Sequence, residues 1–150
     1  MYLPAFSGKL ELFLEKVDDL ESEVRVLVGP QSPMPHLERT RSAIEKILDS
    51  TDDREKLISL ILVLVGTWMI DHGNAMWTVG PVEGSDLDIR VGIGVEVIDP
   101  PSYLGLLSLI EPIVDGKGNR DESINLLVGF SRNALGDWRT IQCTNSTQTG

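Results

Sequence analysis

The chain contains a single cysteine, Cys143. One thiol excludes an intrachain disulfide and any zinc site built on paired cysteines, and it fits a reducing intracellular setting. Histidine is nearly as scarce, and His36 and His72 stand far apart, so a histidine-based metal site has little to draw on. Aromatic residues are only 5% of the chain, which leaves Leu, Ile and Val to fill the core. Cations are outnumbered, with 13 Lys and Arg against 23 Asp and Glu and a formal charge of −10. A chain of that sign is repelled by phosphate backbones and anionic membrane surfaces, so neither direct nucleic-acid binding nor membrane association is expected. The opening stretch MYLPAFSGKLEL lacks a basic region followed by an apolar one, so no signal peptide is expected. Without one, the Asn145-Ser146-Thr147 sequon reads as chance, and the expected location is cytoplasmic.

Long apolar runs are also few. The longest, Leu57–Ile70, has 14 uncharged residues between Lys56 and Asp71. A membrane span needs about 20, so the run reads instead as a helix buried on every side. Ser50 or Thr51 is placed to cap it, Asp52, Asp53 and Glu55 suit its positive end, and Gly73-Asn74 is a stop signal. Two helices precede it. Leu10, Phe13, Val17, Leu20, Val24 and Leu27 recur at three- and four-residue steps, with Leu14 and Val28 widening the stripe, and Gly29-Pro30 ends that helix. The same residues fit an a/d alternation over about three heptads, so helix 8–28 is a candidate seam for a homo-oligomer. After the proline-rich loop GPQSPMP, a second helix is expected from Pro35 to about Asp49.

Beyond Asn74 the period changes to two. Met76–Val79 reads as a short strand, and Leu87–Val97 alternates strictly between apolar and polar or glycine residues. Ser102 is placed to cap a short helix that Pro112 stops or kinks, and Asp115-Gly-Lys-Gly-Asn119 reads as a turn. Ile124, Leu126, Val128 and Phe130 then suggest a third strand, and Trp138–Cys143 a fourth. The expected fold is therefore α+β: an N-terminal three-helix segment, then a mainly antiparallel four-stranded sheet with one further short helix. It forms a single domain over 1–143, with 144–150 as a flexible tail.

From Leu57 to Gly116 the only cation is Arg90, against eight carboxylates. Such a surface suits a basic partner. Within it, Asp86 and Asp88 lie two apart on an expected strand and so share a face, where a pair of carboxylates could hold a magnesium ion. The run Gly84-Ser85-Asp86-Leu87-Asp88-Ile89 resembles the Asp-x-Asp element of the nucleotidyltransferase superfamily. That resemblance implies a metal-bound nucleoside triphosphate attacked by a hydroxyl. In the superfamily the Gly-Ser turn lies about ten residues before the acids, whereas here Gly84-Ser85 abuts them. The other reading of Asp86 and Asp88 is the wet face of an exposed strand. Gly92 and Gly94 leave a bare strip that a tryptophan or the Leu57–Ile70 helix could cover. His72, near the end of that helix, suits a capping role, the other reading being an acid–base group with Asp71 beside it.

Two functions from different classes follow. The first is a small acidic, non-catalytic interaction protein of inhibitor, immunity, viral or phage accessory, or assembly type, binding a protein partner or itself. Its interface candidates are Trp77, Trp138, Glu83, Asp86, Asp88 and Glu96, and it needs no cofactor. The alternative is a metal-dependent nucleotidyltransferase-like enzyme in which Asp86 and Asp88 hold the metal.

Overall fold

The computed structural model of the chain describes residues 4–72, 75–81, 91–98 and 101–132. Helix α1 (Pro4–Val28) turns Phe13, Leu20 and Val24 into the core and ends at Gly29, whose φ of +103° is a left-handed value that glycine adopts freely. The Gly29 N–H closes the last turn on the Arg25 carbonyl at 2.8 Å. Helix α2 (Leu37–Ser50) starts two residues later than Pro35, because His36 is its N-cap and accepts the Arg39 N–H on Nδ1 at 3.3 Å. Helix α3 (Arg54–His72) likewise starts later than expected, three residues after Thr51. Ser50 and Thr51 belong to the end of α2, and Asp53 caps α3 by accepting the Lys56 N–H at 3.3 Å.

Every residue of α3 from Leu60 to Gly66 is buried, a run of nearly two turns that leaves no solvent side. The cause is position. Helix α3 packs against α1 and α2, against the strands β1 (Ala75–Pro81) and β2 (Val91–Ile98), and against α4 (Leu106–Asp115). A short β3 (Pro101–Leu104) completes an antiparallel sheet in the order β1-β2-β3. Pro101 opens β3, an edge strand among the described residues, where its missing N–H costs least. Helix α4 ends at Gly116, with φ +68°, and α5 (Arg120–Arg132) folds back onto α4 and α2.

The expected α+β fold with a four-stranded sheet is overturned. Five helices dominate the described residues, and the sheet is small, with three strands. The third expected strand, Ile124–Phe130, is the middle of α5. Its alternating apolar residues do not share a face: Ile124, Leu127, Val128 and Ser131 point inward at helical spacing, while Leu126 and Phe130 are 54% and 46% exposed. Asn119 caps this helix by accepting the Glu122 N–H at 3.1 Å, with Asp121 and Glu122 in the first turn. The helix expected from Ser102 also shifts: Ser102 pairs with Val97 in the sheet, and of the two roles expected for Pro112 the stop is excluded, because it lies inside α4. The fourth expected strand at Trp138–Cys143 and the tail 144–150 lie outside the described residues.

Ion pairs lash the helix ends together. Arg54 at the start of α3 reaches the end of α4, with Nε 2.7 Å from Asp115 and Nη2 3.3 Å from Glu111. The Lys56 ammonium lies 2.7 Å from Glu23, joining α3 to α1. Arg41 on α2 donates to Asn125 on α5 at 3.1 Å and lies 3.5 Å from Asp121.

Candidate functional site

The residues singled out from the sequence are dispersed. Glu83, Asp86, Asp88 and Trp138 lie outside the described residues, as does Cys143. Glu96 sits in the central strand β2, opposite Met76 of β1 and Tyr103 of β3. Trp77 sits on β1 opposite Val95 and is half-buried. Its ring meets Phe13 of α1 edge-on, at 5.0 Å between centroids and 73° between planes. The indole lies over the bare backbone of Gly66 on α3. Gly92 and Gly94 of β2 stand opposite Gly80 and Thr78. Among the described residues, no group of three or more His, Cys, Asp or Glu is arranged to hold a metal ion.

A different place does gather polar side chains over an apolar floor. Residues 29–33, the loop from α1 to α2, run between two clefts. The first, of about 180 Å³, lies between α1, the loop and the C-terminal half of α3. Helical periodicity builds both of its walls: Glu21, Val24, Arg25 and Val28 share one face of α1, and Leu64, Thr67, Trp68 and Asp71 share one face of α3.

The polar atoms of this cleft are mostly acceptors. His72 Nδ1 lies 3.0 Å from the Trp68 carbonyl, and its ring stacks on the Trp68 indole at 5.7 Å. A carbonyl oxygen only accepts, so in the neutral imidazole Nδ1 carries the proton and Nε2 offers a lone pair. The Thr67 hydroxyl donates back to the Val63 carbonyl, which leaves its oxygen as an acceptor. Glu21 and Asp71 add two carboxylates. Among the described residues Arg25 is the one cation of the cleft, and it lies 3.5 Å from Glu21. Neither Asp71 nor His72 shows a sequence motif; they meet the α1 face only through tertiary packing.

The second cleft, of about 530 Å³, lies on the other side of the same loop, against α2. Its wall carries Glu38, Arg39, Ser42 and Lys46 over Ala43. The two clefts thus share residues 29–33 and differ in charge.

Comparison of the chain with family models, with curated proteins and with solved structures finds no match. No helix among the described residues is long and apolar enough to cross a membrane.

Proposed function

We propose that this chain is a small acidic, non-catalytic interaction protein that docks a basic segment of a protein partner, with an anchoring side chain in the cleft between α1 and α3. The observation that carries the reading is the make-up of that cleft. Val24, Val28, Val63, Leu64 and Trp68 supply an apolar floor, and Asp71 and His72 supply acceptors at its rim, beside a Glu21 carboxylate that Arg25 approaches to 3.5 Å. A stem of methylenes ending in a positive charge satisfies both parts, as a lysine or arginine side chain does. Size points the same way. Pockets for free small molecules usually span about 300–1,000 Å³, and this cleft, at about 180 Å³, has room for one side chain. The formal charge of −10 would steer a basic partner toward the surface from a distance.

The test is retention from the native source by wild-type protein and by Glu21→Lys and Asp71→Lys variants, with the salt dependence measured. A partner held by wild-type, released by both variants and bound more slowly at high salt supports the reading. Retention indifferent to both substitutions overturns it. The second reading, metal-dependent nucleotidyl transfer at Asp86 and Asp88, rests on the Gly84-Ser85-Asp86-Leu87-Asp88 run. It is dropped if neither carboxylate responds by NMR to millimolar magnesium or manganese with nucleotide present.

A further inference from the structure

The cleft against α2 is a small basic site in a strongly acidic chain. Arg39, Ser42 and Lys46 are spaced three and four residues apart, so they form one strip along α2. All three are exposed. Among the described residues neither the Arg39 guanidinium nor the Lys46 ammonium has an ion-pair partner, although 23 acidic side chains are available in the chain. Among the described residues the one carboxylate in the wall, Glu38, is taken by Arg41, whose Nη1 lies 2.7 Å away. Among those residues the two positive charges thus have no counter-charge inside the cleft.

The hydroxyl groups add donors of the same kind. Ser32 Oγ, on the loop wall, accepts the Met34 N–H at 3.2 Å, so its own proton is free to be donated. Ser42 stands between the two cations on the helix wall. A guanidinium and an ammonium are donors only, and a guanidinium fork matches two oxygens of one phosphate. At about 530 Å³ the cleft falls within the ordinary range for a small ligand.

We infer that this cleft binds a phosphate monoester, with Arg39 and Lys46 neutralising its two negative charges and Ser32 and Ser42 donating to its oxygens. A phosphate dianion fits better than a carboxylate, because one carboxylate would leave one of the two cations unmatched. The site is separate from the α1–α3 cleft and stands whether or not that cleft takes a basic side chain.

The experiment is an NMR titration of ¹⁵N-labelled full-length protein with inorganic phosphate and with O-phosphoserine, at constant ionic strength set with sodium chloride. Saturable shifts at the amides of Ser32, Ser42 and Lys46 are expected with phosphoserine. Arg39→Ala and Lys46→Ala should each weaken binding roughly fivefold, the scale of one exposed ion pair. Both residues are exposed, so the variants should melt like wild-type, and unchanged circular dichroism confirms that weakened binding is local. Tighter binding of phosphoserine than of inorganic phosphate marks the ester as the ligand, while equal binding marks the phosphate group alone; either supports the site. Shifts that fail to saturate, that chloride reproduces, or that both variants leave unchanged overturn the inference.

Discussion

Gly66 is the position where the packing of α3 makes the sharpest prediction. A methyl group at this residue would lie 2.6 Å from Cζ3 and 2.8 Å from Cζ2 of Trp77, and nearer still to Cη2. These are ring atoms of a rigid side chain that also meets Phe13 edge-on. In an open helix interior, Gly→Ala stabilises by about 0.5–1 kcal/mol through backbone entropy. Here the gain is opposed by overpacking, worth about 1–3 kcal/mol. Displacing the indole also loses its edge-on contact with Phe13, worth about 0.5–1.5 kcal/mol. Gly66→Ala should therefore destabilise the fold by about 1–3 kcal/mol, against the sign that helix propensity alone gives.

The decisive measurement is a double-mutant cycle by urea unfolding. In a Trp77→Ala background the obstructing ring is gone, and Gly66→Ala should become stabilising by about 0.5–1 kcal/mol. The coupling should then be about 1.5–4 kcal/mol, at or above the upper end for residues in contact. If Gly66→Ala stabilises the wild-type protein, the indole does not rest on this glycine. An equal loss in both backgrounds would show that the cost arises elsewhere in α3.

The core and the ion pairs give two more tests. Leu64→Asp, at a residue only 4% exposed, buries an unpaired carboxylate in the central helix and should cost more than about 4 kcal/mol, enough to abolish the cooperative melt by circular dichroism; a folded variant would remove α3 from the centre of the core. Asp115 responds to pH. Hydrogen bonds from Arg54 hold its carboxyl below the ordinary carboxylate range, outweighing its partial desolvation. A depressed folded value means the stabilisation is complete above the ordinary carboxylate value of about 3.9 and is lost as pH falls through the folded one. The melting-temperature gap between wild-type and Arg54→Gln should therefore be constant near neutrality and narrow below about pH 4, and a gap unchanged to pH 2 would refute the assignment.

Much of the fold could be read from the sequence wherever two independent signals agreed. Helix α3 combined an uncharged run of helical length with acidic residues at its start, and α1 combined a sustained stripe with a Gly-Pro stop. The error came at Ile124–Phe130, where a single signal, alternation, stood alone. Four apolar residues at every second position also occur on an amphipathic helix that exposes two of them, as Leu126 and Phe130 show. The deciding information lay just upstream: Asn119-Arg-Asp-Glu122 has a capping residue followed three positions later by glutamate, a helix start that reading 115–119 as a turn passed over. At Ser102 the contest was between a capping serine and a strand edge, and pairing with β2 won, which sequence period cannot register. The clefts were less legible still. The first draws on residues far apart in the chain, and Asp71 and His72 join a cleft only once α1 lies beside them; the second lies within Val28–Lys46, but its wall forms only when residues 29–33 fold back along α2.

Net charge was the other partial guide, because it describes a distant field and not a local site. A partner approaching from afar meets a charge of −10, so the encounter favours cations. Inside a cleft, within about one Debye length of 8–10 Å, a ligand responds mainly to the few charges around it. Residues 29–33 stand between Glu21 and Asp71 on one side and Arg39 and Lys46 on the other, so neighbouring clefts offer opposite charge. The acidic field helps a basic segment reach the first cleft and hinders an anion on its way to the second. Affinity in the second cleft must therefore come from contacts made after arrival, which is where Arg39, Lys46 and two hydroxyl donors would act.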